Sequence, residues 1–287
     1  LLLNDRQVKF EKYLTDAFSE KAVEFINESS QPFMMYLAYN AVHTPMQATD
    51  EDMAKFEGHP RQKLAAMTYA LDRGVGTVIR GLKDSGKFDN TLIFFLSDNG
   101  GATTNQSSNY PLKGFKGNKF EGGHRVPYFV VWKNGIPAGK PYDGLVSSLD
   151  IFATAIDAAS ISKTRNRLDG VSLLPYLKGK KGEPHKVLYW RKMDTRAIRS
   201  GDYKLIITHG VDSVLYNIRR DPEEMNNLIN KEPDLYRKLA KKLAKWEKNE
   251  CIEPSWLEEG WRKITNRYHQ QLMHNEIKTA QDLYKRK

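Results

Sequence analysis

Asp98 and Asn99 are the residues whose chemistry stands out first in this chain. They directly follow the apolar run 91–97, which predicts a β-strand buried on both faces, and two glycines come after them. Open α/β sheets bind their ligands at the carboxyl ends of the strands. The carboxylate and the carboxamide therefore supply hard oxygen ligands, the type that calcium prefers, where such a sheet would hold its active site. Alone, an Asp-Asn-Gly-Gly sequence is more often a simple turn.

A loop rich in glycine and lysine, residues 113–127, lies downstream. It contains Lys116, and Glu121 followed by two glycines, which permit backbone geometry that other residues resist. The whole polar stretch 100–126 is long for a connection inside a compact domain, so it is either disordered or a functional loop. A single lysine in such a loop is usually a solvated surface residue.

His43 belongs to a third segment, residues 40–45, which ends in a proline. The segment directly follows residues 32–39, which are predicted to form a buried strand, so His43 is expected at the same sheet edge as Asp98. An imidazole has an ordinary pKa near 6.5, which suits proton transfer near neutral pH. A solitary histidine is more often structural or exposed.

These three segments together resemble the type I sulfatases, the formylglycine-dependent sulfate ester hydrolases of the alkaline phosphatase-like superfamily. An Asp-Asn pair at this point binds calcium in that family, so the resemblance implies that Asp98 and Asn99 are ligands of one Ca²⁺. It implies that Lys116 contacts the sulfate oxygens and stabilises charge that develops in the transition state. It also implies that His43 contacts the sulfate and delivers a proton to the leaving alcohol.

Two later segments, 197–205 and 215–228, also resemble the family, and the similarity covers residues 9–228. The resemblance implies an α/β fold class: an incomplete three-layer α/β/α sandwich of the alkaline phosphatase-like type, with a small C-terminal antiparallel sheet and helices. The predicted domains are 1–182, the C-terminal portion of the catalytic α/β domain, and 183–287, a C-terminal subdomain.

The nucleophile of the family is missing from this sequence. Sulfatases carry a Cys/Ser-x-Pro-x-Arg motif, whereas the one cysteine here, Cys251, has its proline one place late and no arginine. In the family the nucleophile lies N-terminal to the point where this sequence begins. We therefore expect the N-terminal part of the same enzyme to supply the nucleophile and further calcium ligands, and the 287-residue chain alone to be inactive.

Apolar periodicity predicts the main elements. Helical spacing is found at 9–28, 61–83, 148–159 and 233–249. The alternation of strands and helices up to about residue 160 indicates a mostly parallel sheet covered on both sides. Short runs that indicate a later antiparallel sheet occur at 187–190, 197–199, 203–208 and 214–216.

Composition bounds the class of protein. A hydrophobic content of 40% and a charged content of 28% are typical of a globular domain. No apolar stretch approaches the roughly 18 residues that would span a bilayer, so no membrane span is predicted. A net charge of +10 favours polyanionic partners, although a solvated lysine-rich surface is the simpler interpretation.

The predicted function is removal of sulfate from a sulfated substrate, with a carbohydrate favoured because a polar loop and a basic balance suit a polyanion; nucleic acid is not a predicted partner. Two alternatives stay open on the sequence alone. One is a phosphate or phosphonate ester hydrolase of the same superfamily, and the other is a glycan-binding relative that has lost the nucleophile. An exported location, periplasmic, secreted or lysosomal, is implied only by the family resemblance.

Overall fold

The computed structural model describes residues 1–9, 11–161, 167–251 and 258–284. The described α-helices are α1 (Leu14–Glu28), α2 (Asp50–Ala54), α3 (Gln62–Asp84), α4 (Glu121–His124), α5 (Asp150–Ala158), α6 (Leu174–Leu177), α7 (Pro233–Glu250) and α8 (Glu259–Met273). The described strands are β1 (Leu2–Leu3), β2 (Arg6–Gln7), β3 (Ile93–Leu96), β4 (Tyr128–Val131), β5 (Val187–Lys192), β6 (Thr195–Ser200), β7 (Tyr203–Thr208) and β8 (Asp212–Asn217).

The chain forms two compact units. The first comprises Leu1–Thr91, Thr104–Gln106 and Trp132–Gly135, and the second comprises Leu92–Thr103, Ser107–Val131 and Ile136–Lys287. The boundary expected near residue 182 from the sequence stays a prediction.

The first unit is built on the pairing of α1 with α3. Small residues allow the two helices to approach closely: a Cβ added to Gly81 would lie 2.8 Å from a methyl carbon of Val23. Arg73 of α3 joins this pair to the neighbouring elements, because its guanidinium donates to the carboxylates of both Asp16 and Asp52. The helices predicted at 9–28 and 61–83 are thereby confirmed, with their first residues shifted.

The buried strand predicted at 32–39 was wrong. This segment is assigned no strand, and its side chains alternate between exposed and half-buried, with Tyr36 89% exposed. A strand needs a hydrogen-bonded partner, and none of the described residues pairs with this stretch. Its apolar composition alone therefore gave a misleading signal.

The second unit contains a two-stranded sheet formed by β3 and β4. The strands pair antiparallel, with Phe94 opposite Val130. The prediction of a mostly parallel sheet was therefore wrong for this pair. The outer face is open as well, since Phe95 is 39% and Phe129 is 59% exposed, so β3 is not buried on both faces in this chain.

A four-stranded antiparallel sheet with the order β5-β6-β7-β8 follows, which confirms the predicted C-terminal sheet. One face packs on α7 through the fully buried side chains of Leu205, Leu239 and Leu243. The other face, with Ile206 and Tyr216, packs on the segment that contains Phe120 and on α8, a helix that the periodicity did not reveal. Both faces of this sheet are thus covered, which holds the loop 113–127 against a rigid surface.

None of the described helices combines the length and the apolar character that crossing a lipid bilayer requires.

Candidate active site

The turn after β3 lies against the loop 113–127. The backbone N–H of Gly100 donates to the carbonyl oxygen of Gly123 at 3.1 Å. A Cβ on Gly100 would lie only 1.8 Å from the carbonyl oxygen of Gly122, so only glycine allows this approach of the two backbones. The two glycine-containing segments singled out in the sequence therefore meet.

Lys116 is tied to the same turn. Its backbone N–H donates to the carbonyl oxygen of Gly101 at 3.0 Å, and its side chain is exposed. Asn109, which lies in sequence between the turn and the loop, also connects them. Its side chain accepts a hydrogen bond from the Gly101 N–H at 2.7 Å and donates to the carbonyl oxygens of Gly101 and Gly114 at 3.2 Å and 3.0 Å. Backbone hydrogen bonds and one asparagine thus fix the loop of Lys116 on the loop of Asp98 and Asn99.

Asp98 and Asn99 lie side by side at the start of this turn. Asp98 is exposed, Asn99 is half-buried, and the Asn99 side-chain amide donates to the Asp98 carboxylate. The donor set of a carboxylate and a carboxamide oxygen fits a hard divalent cation. It supplies only two of the six to eight oxygens that calcium takes, and no group of three or more His, Cys, Asp and Glu among the described residues could hold a metal ion. These two residues can therefore form only part of a metal site.

His43 lies in the first unit, on an exposed segment. Its Nδ1 donates to the carbonyl oxygen of Thr44 at 2.6 Å, and its backbone N–H donates to the carbonyl oxygen of Asn40 at 2.9 Å. Because a carbonyl can only accept, the proton lies on Nδ1, and Nε2 carries the lone pair in the neutral ring. The side-chain amide of Asn105 donates to the carbonyl oxygen of Val42 at 3.0 Å and holds the segment in place.

A buried ion network anchors the loop 113–127 on the C-terminal sheet. Lys204 of β7 lies 2.9 Å from Oε1 of Glu121 and 3.0 Å from Oε1 of Glu224, and the side chains of Lys204 and Glu224 are fully buried. Glu224 also accepts from the backbone N–H of Glu121 at 2.6 Å. Burial raises the pKa of Glu224 to about 7, whereas the adjacent Lys204 charge, acting against burial, holds the pKa of Glu121 well below its usual range.

Lys113 joins the same network from the other side. Its ammonium donates to the carbonyl oxygen of Glu224 at 3.0 Å and to the side chain of Asn275, and burial lowers its pKa to about 8. This fully buried lysine is an anchor of the loop. Glu224 and Asn109 were not predicted as important residues, although Glu224 lies inside the segment 215–228 that resembles the family.

The chain matches known sulfatases in sequence and structure. A family model described as Sulfatase matches residues 3–161, and one described as N-sulphoglucosamine sulphohydrolase, C-terminal, matches residues 116–249. The chain is 40% identical over 200 residues to the "Uncharacterized sulfatase YdeN" of Escherichia coli (strain K12), a match covering 66% of this chain and 36% of that protein. It is 32% identical over 202 residues to the N-acetylgalactosamine-6-sulfatase of Canis lupus familiaris, which covers 68% of this chain and 38% of that protein.

The chain also resembles solved structures. The crystal structure of Ps i-CgsB in complex with k-i-k-neocarrahexaose superposes with a TM-score of 0.82 at 36% sequence identity, over 92% of this chain and 61% of that one. This likeness confirms the predicted α/β fold class of the alkaline phosphatase-like type. The chain spans less than two fifths of the length of the curated relatives named above. The match over more than half of the chain places it in a family whose members generally bind a divalent metal. The chain belongs to the sulfatase family.

Proposed function

We propose that this chain is part of a sulfatase that hydrolyses sulfate esters of a carbohydrate. The observation that carries this proposal is the junction of two loops: the N–H of Lys116 donates to Gly101, next to the Asp98-Asn99 pair. This junction holds the loop 113–127, here called the lysine loop, beside the oxygen donors of Asp98 and Asn99. A site for a sulfate group and a divalent cation requires such an arrangement. Family membership supplies the reaction class.

The residues of this chain have distinct roles in the proposed reaction. Lys116 binds the sulfate oxygens and balances the negative charge that grows on them in the transition state. His43, in its protonated imidazolium form, donates the proton on Nε2 to the alcohol oxygen as the bond from sulfur to that oxygen breaks, and the Nδ1–H stays on the carbonyl oxygen of Thr44. Asp98 and Asn99 contribute two oxygen ligands to a Ca²⁺, which would polarise the sulfate.

The nucleophile of the proposed reaction is a formylglycine, which attacks sulfur in enzymes of this type. The sequence carries no Cys/Ser-x-Pro-x-Arg motif from which it could form. We infer that a polypeptide segment other than these 287 residues provides it, together with the remaining cation ligands. An exported location is part of the same proposal.

A carbohydrate is the proposed substrate class because the relatives point to sugars. One relative is named for N-acetylgalactosamine 6-sulfate, and one structural neighbour was solved with a neocarrahexaose. The net charge of +10 is compatible with a polyanionic ligand. The alternatives of a phosphoester hydrolase and of a non-enzymatic glycan-binding protein are not favoured by the family match.

The test uses the complete protein that contains this chain, purified with calcium. Sulfate release from a panel of sulfated saccharides is measured by ion chromatography, with phosphate release from phosphate monoesters in parallel. We expect sulfate release, and a loss of about a hundredfold or more in kcat for Lys116→Ala. Lys241→Ala, at an exposed position on α7, is the matched control. Folded protein that releases only phosphate would refute the proposal, and unchanged turnover in Lys116→Ala would remove Lys116 from the mechanism.

A further inference from the structure

Two lysines of the second unit, Lys119 and Lys192, add their positive charge to that of Lys116. Lys119 follows it by three positions in the loop 113–127, and Lys192 ends strand β5. The ammonium of Lys192 lies against the lysine loop, because a Cβ built on Gly117 would be 2.9 Å from its Nζ. Gly117 has a φ of +96°, a conformation that favours glycine, and its missing side chain leaves room for this ammonium group.

Among the described residues, no carboxylate forms a salt bridge with Lys119 or Lys192. The buried carboxylates of Glu121 and Glu224 form their salt bridges with Lys204 instead. Positive charges that lack partners repel one another and attract an anion from solution.

The electrostatics of the lysines agree with their placement. Burial lowers the pKa of Lys119 to about 8, and the charges of Lys192 and Lys204 contribute to the decrease. Burial also lowers the pKa of Lys192, and the positive charge of Lys116 is the second cause of the decrease. The charge of Lys192 therefore acts on Lys119, and the charge of Lys116 acts on Lys192.

His269 of α8 borders the same region. It is fully buried, its Nδ1 donates to the carbonyl oxygen of Thr265 at 2.8 Å, and its Nε2 has no hydrogen-bond partner among the described residues. Burial lowers its pKa to about 4, and the charges of Lys119 and Lys192 contribute to this decrease. The imidazole is therefore neutral near pH 7 and adds no positive charge to the cluster.

We propose that Lys119 and Lys192 form a second anion-binding subsite beside Lys116, which receives a further sulfate or carboxylate group of the substrate. This inference rests on the proposed function for the role of Lys116, and it deepens that function by naming a substrate with at least two anionic groups. Lys192 is exposed, so a substrate group can reach its ammonium. Lys119 is half-buried, and its positive charge acts on the bound group from within the protein.

The test measures binding and not turnover, so it stands even if sulfatase activity is absent. Calorimetry on the complete protein compares benzene-1,2-disulfonate and 2-sulfobenzoate with benzenesulfonate, none of which a sulfatase can hydrolyse at its C–S bond. We expect the wild type to bind at least one of the doubly charged compounds more tightly than benzenesulfonate. Lys192→Gln should weaken that compound by about fivefold to tenfold and leave benzenesulfonate within about twofold.

Two further variants control the experiment. Lys192→Arg keeps the charge and should retain the preference for the doubly charged compound. Lys186→Gln removes an exposed lysine at the other end of β5 and should change nothing. Equal affinity of the wild type for all three compounds, an equal loss for single and double anions in Lys192→Gln, or the same loss in Lys186→Gln would each overturn the proposal.

Discussion

Lys204 and Glu121 form a buried ion pair in which Nζ lies 2.9 Å from Oε1, and it joins the centre of the C-terminal sheet to the glycine-rich end of the lysine loop. The pair spans 83 residues of sequence. It explains how a loop rich in glycine and polar residues can hold one conformation, because a buried ion pair fixes the loop on the sheet.

Removal of Lys204 is therefore expected to destabilise the fold. Lys204→Met would leave Glu121 and Glu224 facing each other in the interior without their shared cation, and such a loss costs about 3–5 kcal/mol of unfolding free energy. Urea denaturation of the complete protein, followed by tryptophan fluorescence, measures it. The control Lys186→Met changes an exposed lysine of the same unit and should stay within about 0.5 kcal/mol of the wild type. An equal effect of both substitutions would show that the buried pair contributes nothing specific.

A second prediction concerns acid stability and His269. The folded protein holds the pKa of this imidazole at about 4, mainly through burial, whereas the unfolded chain titrates near 6.5. Below pH 6.5 the unfolded state takes up a proton that the folded state refuses, so this contribution to stability is present above pH 6.5 and is lost as the pH falls towards 4. Between pH 7.5 and 4.5 the loss from this one group is about 2–3 kcal/mol.

The measurement compares the pH dependence of unfolding in two variants. His269→Gln cannot take up the proton, so its unfolding free energy should fall less than that of the wild type between pH 7.5 and 4.5. His209→Gln, at an exposed histidine of the same unit, should follow the wild type. Parallel curves for wild type and His269→Gln would contradict the buried, neutral state of this ring.

The sequence predicted those elements whose signal is local. Helices α1, α3 and α7 show an apolar face at helical spacing, and the strands of the C-terminal sheet are short apolar runs bounded by turn residues. The stretch 32–39 carries the same kind of local signal and yet forms no strand, because pairing depends on a partner elsewhere. The antiparallel pairing of β3 with β4 was likewise beyond a local pattern.

The candidate site likewise contains residues that the sequence predicted and residues that it did not. Asp98, Asn99 and Lys116 were predicted because they lie in short sequence motifs, one after an apolar run and one before Glu-Gly-Gly, that resemble the sulfatase family. Glu224 and Asn109 act through contacts with residues distant in the fold, and neither has an unusual neighbour in sequence. Only coordinates could reveal that Glu224 accepts the N–H of Glu121. The convergence of His43 with the other candidates stays a prediction.

Asn109 provides a third prediction, because one side chain bonds both loops of the site. Asn109→Asp has the same shape but loses the two N–H bonds to the carbonyl oxygens of Gly101 and Gly114. Groups that orient the residues of a metal site typically contribute 10–100-fold to affinity or activity, so we expect a loss of about that size in kcat or in calcium affinity of the complete enzyme.

The matched control for this change is Asn226→Asp, at an exposed position outside the loop. Both variants add one negative charge, so a difference between them reports the lost hydrogen bonds and not the added charge. If Asn109→Asp keeps wild-type turnover and calcium affinity, the asparagine does not position the site.

The last prediction tests the close approach of the two loops. A Cβ on Gly100 would lie 1.8 Å from the carbonyl oxygen of Gly122, and that atom belongs to the backbone, so it cannot turn aside as a flexible side chain could. Gly100→Ala must therefore separate the turn of Asp98 from the lysine loop, break the hydrogen bond from Gly100 to Gly123 and lower kcat by about a hundredfold, since even a displacement of about 1 Å can have that effect. Gly260→Ala is the control: Gly260 is an exposed residue of α8 with nothing within 4 Å of the added carbon, so turnover should be unchanged, and stability should stay equal or rise by up to about 1 kcal/mol. Steady-state kinetics together with circular dichroism separate a displaced site from an unfolded protein, and a Gly100→Ala enzyme that is folded and fully active would disprove the required contact between the two loops.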